Sequence, residues 1–324
     1  MSKAGFGRRA WLAGTAALTT GRAAQAQAYP ARVVRVVIPY AAGGGADTVG
    51  RLFCARLVEH LGQQFVIENR GGGGGTIGAN AVARAANDGY TLLYDSSAFA
   101  VNPFLQPSLP FDTIRDFAPV FLAALVPTFL VVHPSIEART VPELVEHVKR
   151  AAGGVECASP GNGTVQHLAV EMFRIRTGAQ LNHVPYRGGA PAMNDLVAGQ
   201  IKIGFVDGAA AMSFVRAGSF RAIAHCGSGR LATLPGLPAM AESVRDFAAV
   251  VWNGFIAPAG TPPPVIRRLN ATLNDIIREP AFASRLEDIN VGTRANTPEA
   301  FQAFLAAEMA QWGALVREAR ITLG

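Results

Sequence analysis

The sequence predicts a layered α/β protein, and three observations support this fold class. The 324 residues are enough for one large domain or two ordinary domains with a hydrophobic core. Half of the residues are hydrophobic and 16% are charged, which excludes a disordered chain. The 35 glycines and 20 prolines predict many turns between apolar segments, which fits layered α/β structure better than a helical bundle.

Short runs of β-branched and aromatic residues alternate with amphipathic stretches from residue 33 onwards. The first run, 33–39, is almost entirely apolar, as expected for a strand in the buried middle of a sheet. This βα repetition predicts sheets that are largely parallel, with helices on both faces. The predicted strands span 33–39, 65–68, 91–94, 129–133, 201–206, 220–224 and 250–257. The predicted helices between them span 48–60, 76–86, 141–151, 164–177 and 190–198.

Three further helices are predicted in the C-terminal part, at 263–278, 280–287 and 298–317, and each opens at or beside a proline. They follow the long strand at 250–257. This placement predicts that the chain leaves a first domain, builds a second and returns. The predicted boundaries give domain 1 as residues 29–129 plus 252–324, and domain 2 as residues 130–251.

Residues 1–28 have the features of an export signal, with a basic start, an apolar stretch at 10–18 and small residues ending at Ala28. We expect cleavage after Ala28 and a soluble mature chain in the periplasm. An uncleaved anchor is disfavoured, because the apolar stretch is far shorter than the roughly 20 residues that span a bilayer. Arg8 and Arg9 resemble a twin-arginine signal, but ordinary secretory signals also contain such pairs, so the export route stays open.

The charge balance argues against a nucleic-acid partner. The net charge is +6, but the first 28 residues contain four basic residues and no acidic ones. The remaining chain has 25 basic and 23 acidic residues, which is too small an excess to neutralise several phosphates.

The cysteines, Cys54, Cys157 and Cys226, are odd in number, widely spaced and without a CxxC pair. We expect them to be buried small side chains, although one disulfide stays possible. No metal or redox site is predicted.

Three glycine-rich loops, at 40–47, 69–76 and 159–164, are each predicted to connect a strand to a helix. A loop without side chains exposes backbone N–H groups, and the N-terminus of the following helix attracts anions. These loops are therefore candidate carboxylate or phosphate sites. The segment 73–78 also matches the dinucleotide pattern G-x-G-x-x-G, with Asp95 near the expected acidic position. Because a five-glycine run matches such a pattern by chance and does not open the first βαβ unit, no cofactor is predicted.

Three polar residues near these loops each have two interpretations. Asp47 is expected to be the N-cap of the helix that starts at Thr48, or to contact a ligand as well. His167, in the first turn of a helix, is expected to support the site or to lie on the surface rather than to act in catalysis. Asp207 ends a strand where α/β sheets place ligands, but it could equally cap the helix after Gly208.

Enzyme signatures do not favour catalysis. The sequence has no G-x-S-x-G elbow, no H-E-x-x-H and no paired Cys and His residues at metal-ligand spacing. Since catalytic triads need not be local in sequence, an exported α/β hydrolase or isomerase acting on a carboxylated substrate stays the alternative hypothesis.

Motifs along almost the whole mature chain resemble one receptor family. They are YP at 29–30, VVIPYAAGGGAD at 36–47, ENR at 68–70, DGYTLL at 88–93, DFAPV at 116–120, GNGT at 161–164, HL at 167–168, HVPYRG at 183–188, GSFRA at 218–222 and APAGTP at 257–262. In these motifs the chain is similar to the Bug-type extracytoplasmic solute receptors of tripartite tricarboxylate transporters.

This resemblance implies a fold of the periplasmic binding protein type II kind, with two doubly wound domains and a ligand cleft between them. It implies a monomer that is not an enzyme, captures a small carboxylated solute and delivers it to a membrane permease. The implied ligand-binding residues are Tyr40, Gly43, Gly44, Asp47, Ser96, Ser159, Gly161, Asn162, Thr164, His167, Tyr186 and Asp207. Five glycines at 71–75 replace the family's usual proline-containing loop, and Gly208 stands where the family often has Asn. Dicarboxylates, tricarboxylates, acidic amino acids and aromatic acids therefore stay open as solutes.

Overall fold

The computed structural model describes residues 29–106, 108–227 and 229–319, together with Met1 and Ile321. Apart from Met1, the predicted export signal lies outside these residues. The strands are β1 (Val34–Ile38), β2 (Phe65–Asn69), β3 (Thr91–Ser96), β4 (Phe117–Val132), β5 (Val155–Ser159), β6 (Leu181–Pro185), β7 (Ile203–Asp207), β8 (Arg221–His225) and β9 (Val250–Pro258). The helices are α1 (Gly45–Leu61), α2 (Thr76–Ala83), α3 (Ala98–Leu105), α4 (Val141–Arg150), α5 (Val165–Thr177), α6 (Gly189–Val197), α7 (Gly208–Arg216), α8 (Pro263–Ile276), α9 (Pro280–Glu287) and α10 (Pro298–Ala319).

The long strand β4 connects two halves of the sheet. The strand order is β2-β1-β3-β9-β4-β7-β5-β6, and β8 also pairs with β4. Residues up to Pro127 of β4 pair with β9, whereas residues from Thr128 onwards pair with β7 and β8. We call the part built on β1, β2, β3 and β9 lobe 1, and the part built on β5 to β8 lobe 2.

The α/β class is confirmed, but the prediction of a largely parallel sheet is wrong. The pairs β1–β2, β1–β3, β5–β6 and β5–β7 are parallel. The pairs β3–β9, β4–β7, β4–β8 and β4–β9 are antiparallel. The reason is the route of the chain: β4 carries it out of lobe 1 and β9 brings it back in the opposite direction, so both strands insert antiparallel pairs between the βα units.

Helices cover both faces of the sheet, as the sequence predicts. In β1, Val36 packs in a core with α1 and α8, whereas its neighbour Val37 faces a core formed with α2, α3 and α10. In lobe 2, α4 and α5 cover one face, and α6 and α7 cover the other. Side chains alternate across a strand, so a strand buried on both faces is apolar at successive positions.

The sequence misses β5, β6, α3 and the first half of β4, and the omissions of β6 and β4 have a local cause. Strand β6 lies at the sheet edge, where Asn182, His183 and Pro185 are tolerated because that side needs no further pairing. The first half of β4 contains Pro119 and Ala123, and its pairing with β9 is interrupted by two register shifts. These residues do not form the β-branched run by which a strand is recognised.

No described helix is long and apolar enough to cross a membrane. Cys54, Cys157 and Cys226 are buried with free thiols, as expected from their spacing. Burial raises the pKa of Cys54 to about 12, so this thiol is protonated at neutral pH.

Candidate functional site

Two connected spaces lie where the lobes meet. The outer chamber has a volume of about 1040 Å³ and is lined from lobe 1 by 71–75 and from lobe 2 by 160–162 and 185–188. A much smaller space of about 40 Å³, which we call the inner cavity, adjoins the chamber at the N-termini of α1 and α5. Tyr40 and Thr164 line both spaces. A cavity needs about 10–15 Å³ of such volume to hold one water molecule, so the inner cavity has room for a carboxylate-sized group but not for a whole organic acid.

The loop before α1 leaves backbone N–H groups at the inner cavity. Gly44 is the N-cap in an extended conformation, and no side chain caps this helix. The N–H groups at the start of α1 therefore have no acceptor within the helix. Gly44, Gly45 and Ala46 line the cavity, so these donors are placed where an anion would be stabilised.

Asp47 holds this loop in place and is not the N-cap that the sequence predicts. The helix begins at Gly45, so Asp47 is its third residue. Its carboxylate accepts hydrogen bonds from Gly43 N (2.9 Å), Arg51 Nε (2.8 Å) and Asn69 Nδ2 (2.9 Å). Burial alone would raise the pKa of Asp47, but these bonds outweigh it and hold the pKa below its ordinary value. The small residues Gly45 and Ala46 give no periodic signal, which is why the sequence pattern predicts a later start, at Thr48.

The loop before α5 is capped in the ordinary way. The Thr164 hydroxyl accepts a bond from His167 N (3.2 Å) and donates one to Gly161 O (2.8 Å). Val165 and Gln166 therefore carry the free N–H groups of this helix, and Gln166 lines the inner cavity.

Two stacked histidines support this second loop from behind. The rings of His167 and His183 are parallel, with centroids 4.0 Å apart. His167 Nδ1 accepts a bond from Gly163 N (3.2 Å), and His183 Nε2 lies 2.6 Å from Ser159 Oγ. Burial, and then the neighbouring His167, lowers the pKa of His183 to about 3. Both rings are therefore neutral at physiological pH, and the surface position considered for His167 is wrong, because it is only 6% exposed.

Tyr40 is fixed by a network at the end of β3. Its hydroxyl donates to Asp95 Oδ1 (2.8 Å) and accepts from Ser96 Oγ (3.0 Å), while Ser96 N donates to the same carboxylate oxygen (2.7 Å). Burial raises the pKa of Asp95 to about 7, although these hydrogen bonds oppose the shift. The sequence links Asp95 only to the dinucleotide pattern, whereas in the structure it positions a cavity-lining tyrosine.

Asn253 is the most unusual polar residue of the inner cavity. It lies opposite Ser96 on the paired strand β9, is fully buried, and lines the cavity. Within the described part of the chain, neither Oδ1 nor Nδ2 of Asn253 has a hydrogen-bond partner. A buried amide without partners costs about 1–3 kcal/mol of stability, so both atoms are available for a bound polar group.

Asp207 brings the two lobes into close contact. Its Oδ1 accepts bonds from Ala209 N (3.0 Å) and Ala210 N (3.3 Å), so it caps α7, one of the two roles expected for it. The carboxyl group also faces Gly45, where an added Cβ would lie 2.1 Å from both Cγ and Oδ2 of Asp207. Burial raises the pKa of Asp207 to about 6 despite the two hydrogen bonds.

The outer chamber is wide because its lobe 1 wall is made of glycine. The run at 71–75 places no side chain in the chamber, and the remaining wall is formed by residues such as Ile77 and Leu105. From lobe 2, the hydroxyl of Tyr186 donates to Asp195 Oδ2 (2.7 Å), which fixes the ring at the chamber. Arg187 is the only charged residue among the described lining residues, and it is exposed.

Eight of the twelve candidate residues line one of the two spaces, and four lie behind them. Ligand contact at these positions stays a prediction. The lining residues are Tyr40, Gly44, Ser96, Gly161, Asn162, Thr164, Tyr186 and Asp207. Gly43, Asp47, Ser159 and His167 instead shape the loops.

Sequence reasoning included Gly45 only as part of the loop at 40–47, and it missed Gln166, Gly188, Gly189 and Asn253, which also line the inner cavity or the outer chamber. Only Asn253 has a visible signal, because it is a lone amide inside an apolar strand. Within the described residues, no cluster of three or more His, Cys, Asp or Glu could hold a metal ion.

Comparison with known proteins gives consistent results. Residues 49–321 match a family model described as tripartite tricarboxylate transporter family receptor. Protein BugT of Bordetella pertussis is 36% identical over 305 residues, which cover 93% of this chain and 94% of BugT. Among solved structures, R. palustris Rpa4515 with adipate has a TM-score of 0.89 at 32% identity. The match covers 91% of this chain and 100% of the Rpa4515 chain. MatC from Rhodopseudomonas palustris with bound malate has a TM-score of 0.83 at 29% identity. The match covers 89% of this chain and 100% of the MatC chain.

Proposed function

The chain belongs to the tripartite tricarboxylate transporter receptor family, and on this premise we propose that its inner cavity binds the carboxylate of a small organic acid. The observation that carries the proposal is the convergence of two helix N-termini, α1 from lobe 1 and α5 from lobe 2, on one cavity of about 40 Å³. Free N–H groups from opposite lobes would bind one carboxylate jointly. The remainder of the acid would occupy the outer chamber.

This geometry changes one expectation. The sequence predicts the glycine-rich loops at 40–47 and 159–164 as individual candidate anion sites, but residues of both loops line the same inner cavity. One carboxylate is therefore sufficient to bring the lobes together, and a second carboxylate would lie in the outer chamber.

The proteins that this chain resembles are solute receptors, so the hydrolase or isomerase alternative is not favoured. A periplasmic location follows from membership in this receptor family. We further propose that the chain acts as a monomer that delivers its solute to membrane permease subunits. Adipate and malate in the related structures make carboxylic acids the first compounds to test.

Thermal unfolding with a panel of acids tests the proposal. We expect benzoate, malate or adipate to raise the melting temperature, because a ligand at 100 times its Kd stabilises the native state by about 2.7 kcal/mol. The corresponding amides are the matched controls and should bind roughly 10- to 100-fold more weakly, since each charged hydrogen bond contributes about 1.5–3 kcal/mol. Equal shifts with acids and amides, or chemical turnover of the bound acid, would contradict the proposal.

We also propose that residues 29–129 with 252–324 form one domain and residues 130–251 the other, and that they rotate about the β4 and β9 crossings. The support is the exchange of partners in β4 between Pro127 and Thr128, close to the start of β9 at Val250. In small-angle scattering, saturation with the binding acid should lower the radius of gyration. An unchanged scattering profile at saturation would argue against domain rotation.

A further inference from the structure

The inner cavity contains an acidic side chain at the place where the proposed function requires a bound anion. Asp207 is the only charged residue among the described lining residues of this cavity, and no lysine, arginine or histidine accompanies it there. Its Oδ1 is held by Ala209 N and Ala210 N. Its Oδ2 has no hydrogen-bond partner in the described residues and faces Gly45, the first residue of α1. A solute carboxylate bound at the start of α1 would therefore lie next to this carboxyl group.

No titratable group on the surrounding elements neutralises Asp207. Three of the neighbouring acids are engaged elsewhere: Asp47 with Arg51, Asp95 with Tyr40, and Asp195 with Tyr186. The pKa of Tyr94 responds to Asp207, but a tyrosine hydroxyl is neutral and supplies no positive charge. The other titratable groups on the helices that begin at the cavity are Cys54, Arg56, Glu59 and His60 on α1, His167, Glu171, Arg174 and Arg176 on α5, and Arg216 on α7. None of these residues is among the described lining residues of the cavity. The pKa of Asp207 is set by its burial and by two backbone N–H groups, with no contribution from a cation.

Two ionised carboxylates in such a small cation-free cavity would repel each other strongly. Two carboxyl groups that share a site therefore keep one proton between them, and the pKa of one of them rises. We propose that Asp207 meets the solute carboxylate as a neutral carboxylic acid and donates a hydrogen bond to it. This inference rests on the proposed function, because it needs a carboxylate in the inner cavity.

The proposal predicts how many protons the protein takes up when the solute binds. Where Asp207 is ionised before binding, capture takes up one proton from solvent, and this proton lies between the two carboxyl groups in the complex. Where Asp207 is already protonated, capture takes up none. Because burial has raised the pKa of Asp207 to about 6, the first situation applies at neutral and alkaline pH. Affinity should therefore fall as the pH rises, by about tenfold per pH unit where Asp207 is ionised in the free protein.

Isothermal titration calorimetry of the full mature chain tests this directly. The probe is whichever of benzoate, malate and adipate gives the largest thermal shift. Titrations near pH 8 in HEPES and in Tris, whose ionisation enthalpies differ, should show uptake of about one proton per acid bound. The Asp207→Asn variant should bind with no proton uptake and with an affinity that does not change with pH. Its amide donates a hydrogen bond without titrating, and asparagine caps a helix as well as aspartate does.

A control variant separates Asp207 from acids outside the cavity. Asp275→Asn changes an exposed acid on α8 and should take up a proton as the parent does. Binding without proton uptake near pH 8, or uptake that survives Asp207→Asn, would overturn the inference while the proposed function stands. If none of the three acids binds at any pH, the proposed function fails and this inference fails with it.

Discussion

Replacing Gly45 with alanine is expected to reduce solute affinity by at least about 100-fold, equivalent to about 2.7 kcal/mol, while the protein stays folded. The added Cβ would lie 2.1 Å from Cγ of Asp207, far inside van der Waals contact. Asp207 cannot move away without releasing Ala209 N and Ala210 N from its cap. The lobes would therefore be unable to approach closely enough for α1 and α5 to bind one carboxylate together.

The fold of this variant should be preserved, because alanine is a better helix former than glycine. Gly236→Ala is the matched control: its Cβ would meet nothing within 4 Å, and its backbone is not in the left-handed region. Gly218, in contrast, has φ +70°, so a side chain there would strain the backbone. Calorimetry with the binding acid measures the loss of affinity in Gly45→Ala and in the control, and thermal unfolding checks that both variants are folded.

A second variant tests the explanation for Gly45→Ala. Adding Asp207→Ser to Gly45→Ala shortens the side chain that clashes and retains a capping oxygen for α7. Small-angle scattering should then show that the acid-induced decrease in the radius of gyration returns at least in part. Wild-type affinity in the Gly45→Ala single variant would show that the close contact between the lobes is not needed for capture.

Replacing Asn253 with leucine is expected to stabilise the free protein and to abolish most binding. Leucine has nearly the shape of asparagine, and it removes two buried polar atoms that have no partner in the described structure. Removing that penalty should raise the free energy of unfolding by about 1–3 kcal/mol. The same change removes an amide that, in the proposed complex, would bind the solute carboxylate, so affinity should fall roughly 10- to 100-fold.

Asn270 provides the control for this second variant. It is also a buried asparagine, but its Nδ2 donates to Val120 O (2.8 Å) and Asn296 O (3.1 Å), outside the cleft. Asn270→Leu should therefore lower the free energy of unfolding and leave affinity unchanged. Urea denaturation of both variants, with and without the binding acid, separates these outcomes. A destabilised Asn253→Leu with normal affinity would show that the amide is an ordinary structural residue.

The sequence by itself determined the α/β class, the receptor family and most helices. Val36 and Val37 show why: consecutive apolar residues in one strand indicate burial on both faces, and this signal is local. Thr164 is similar, because a capping threonine directly before an amphipathic run predicts the start of α5. Both features depend on neighbours in the chain, so they can be read without knowing the fold.

Only the tertiary structure decided which residues form the inner cavity and how the sheet is connected. Gly45 and Asp207 are 162 positions apart, and their contact exists because β4 and β9 fold lobe 2 back onto lobe 1. Asn253 becomes a site residue because β9 pairs with β3 and places it opposite Ser96. Pairing across lobes depends on long-range chain reversal, which leaves no periodic pattern in the sequence. The chemistry of single loops is therefore encoded locally, whereas the cavity they form together depends on how the two lobes pack.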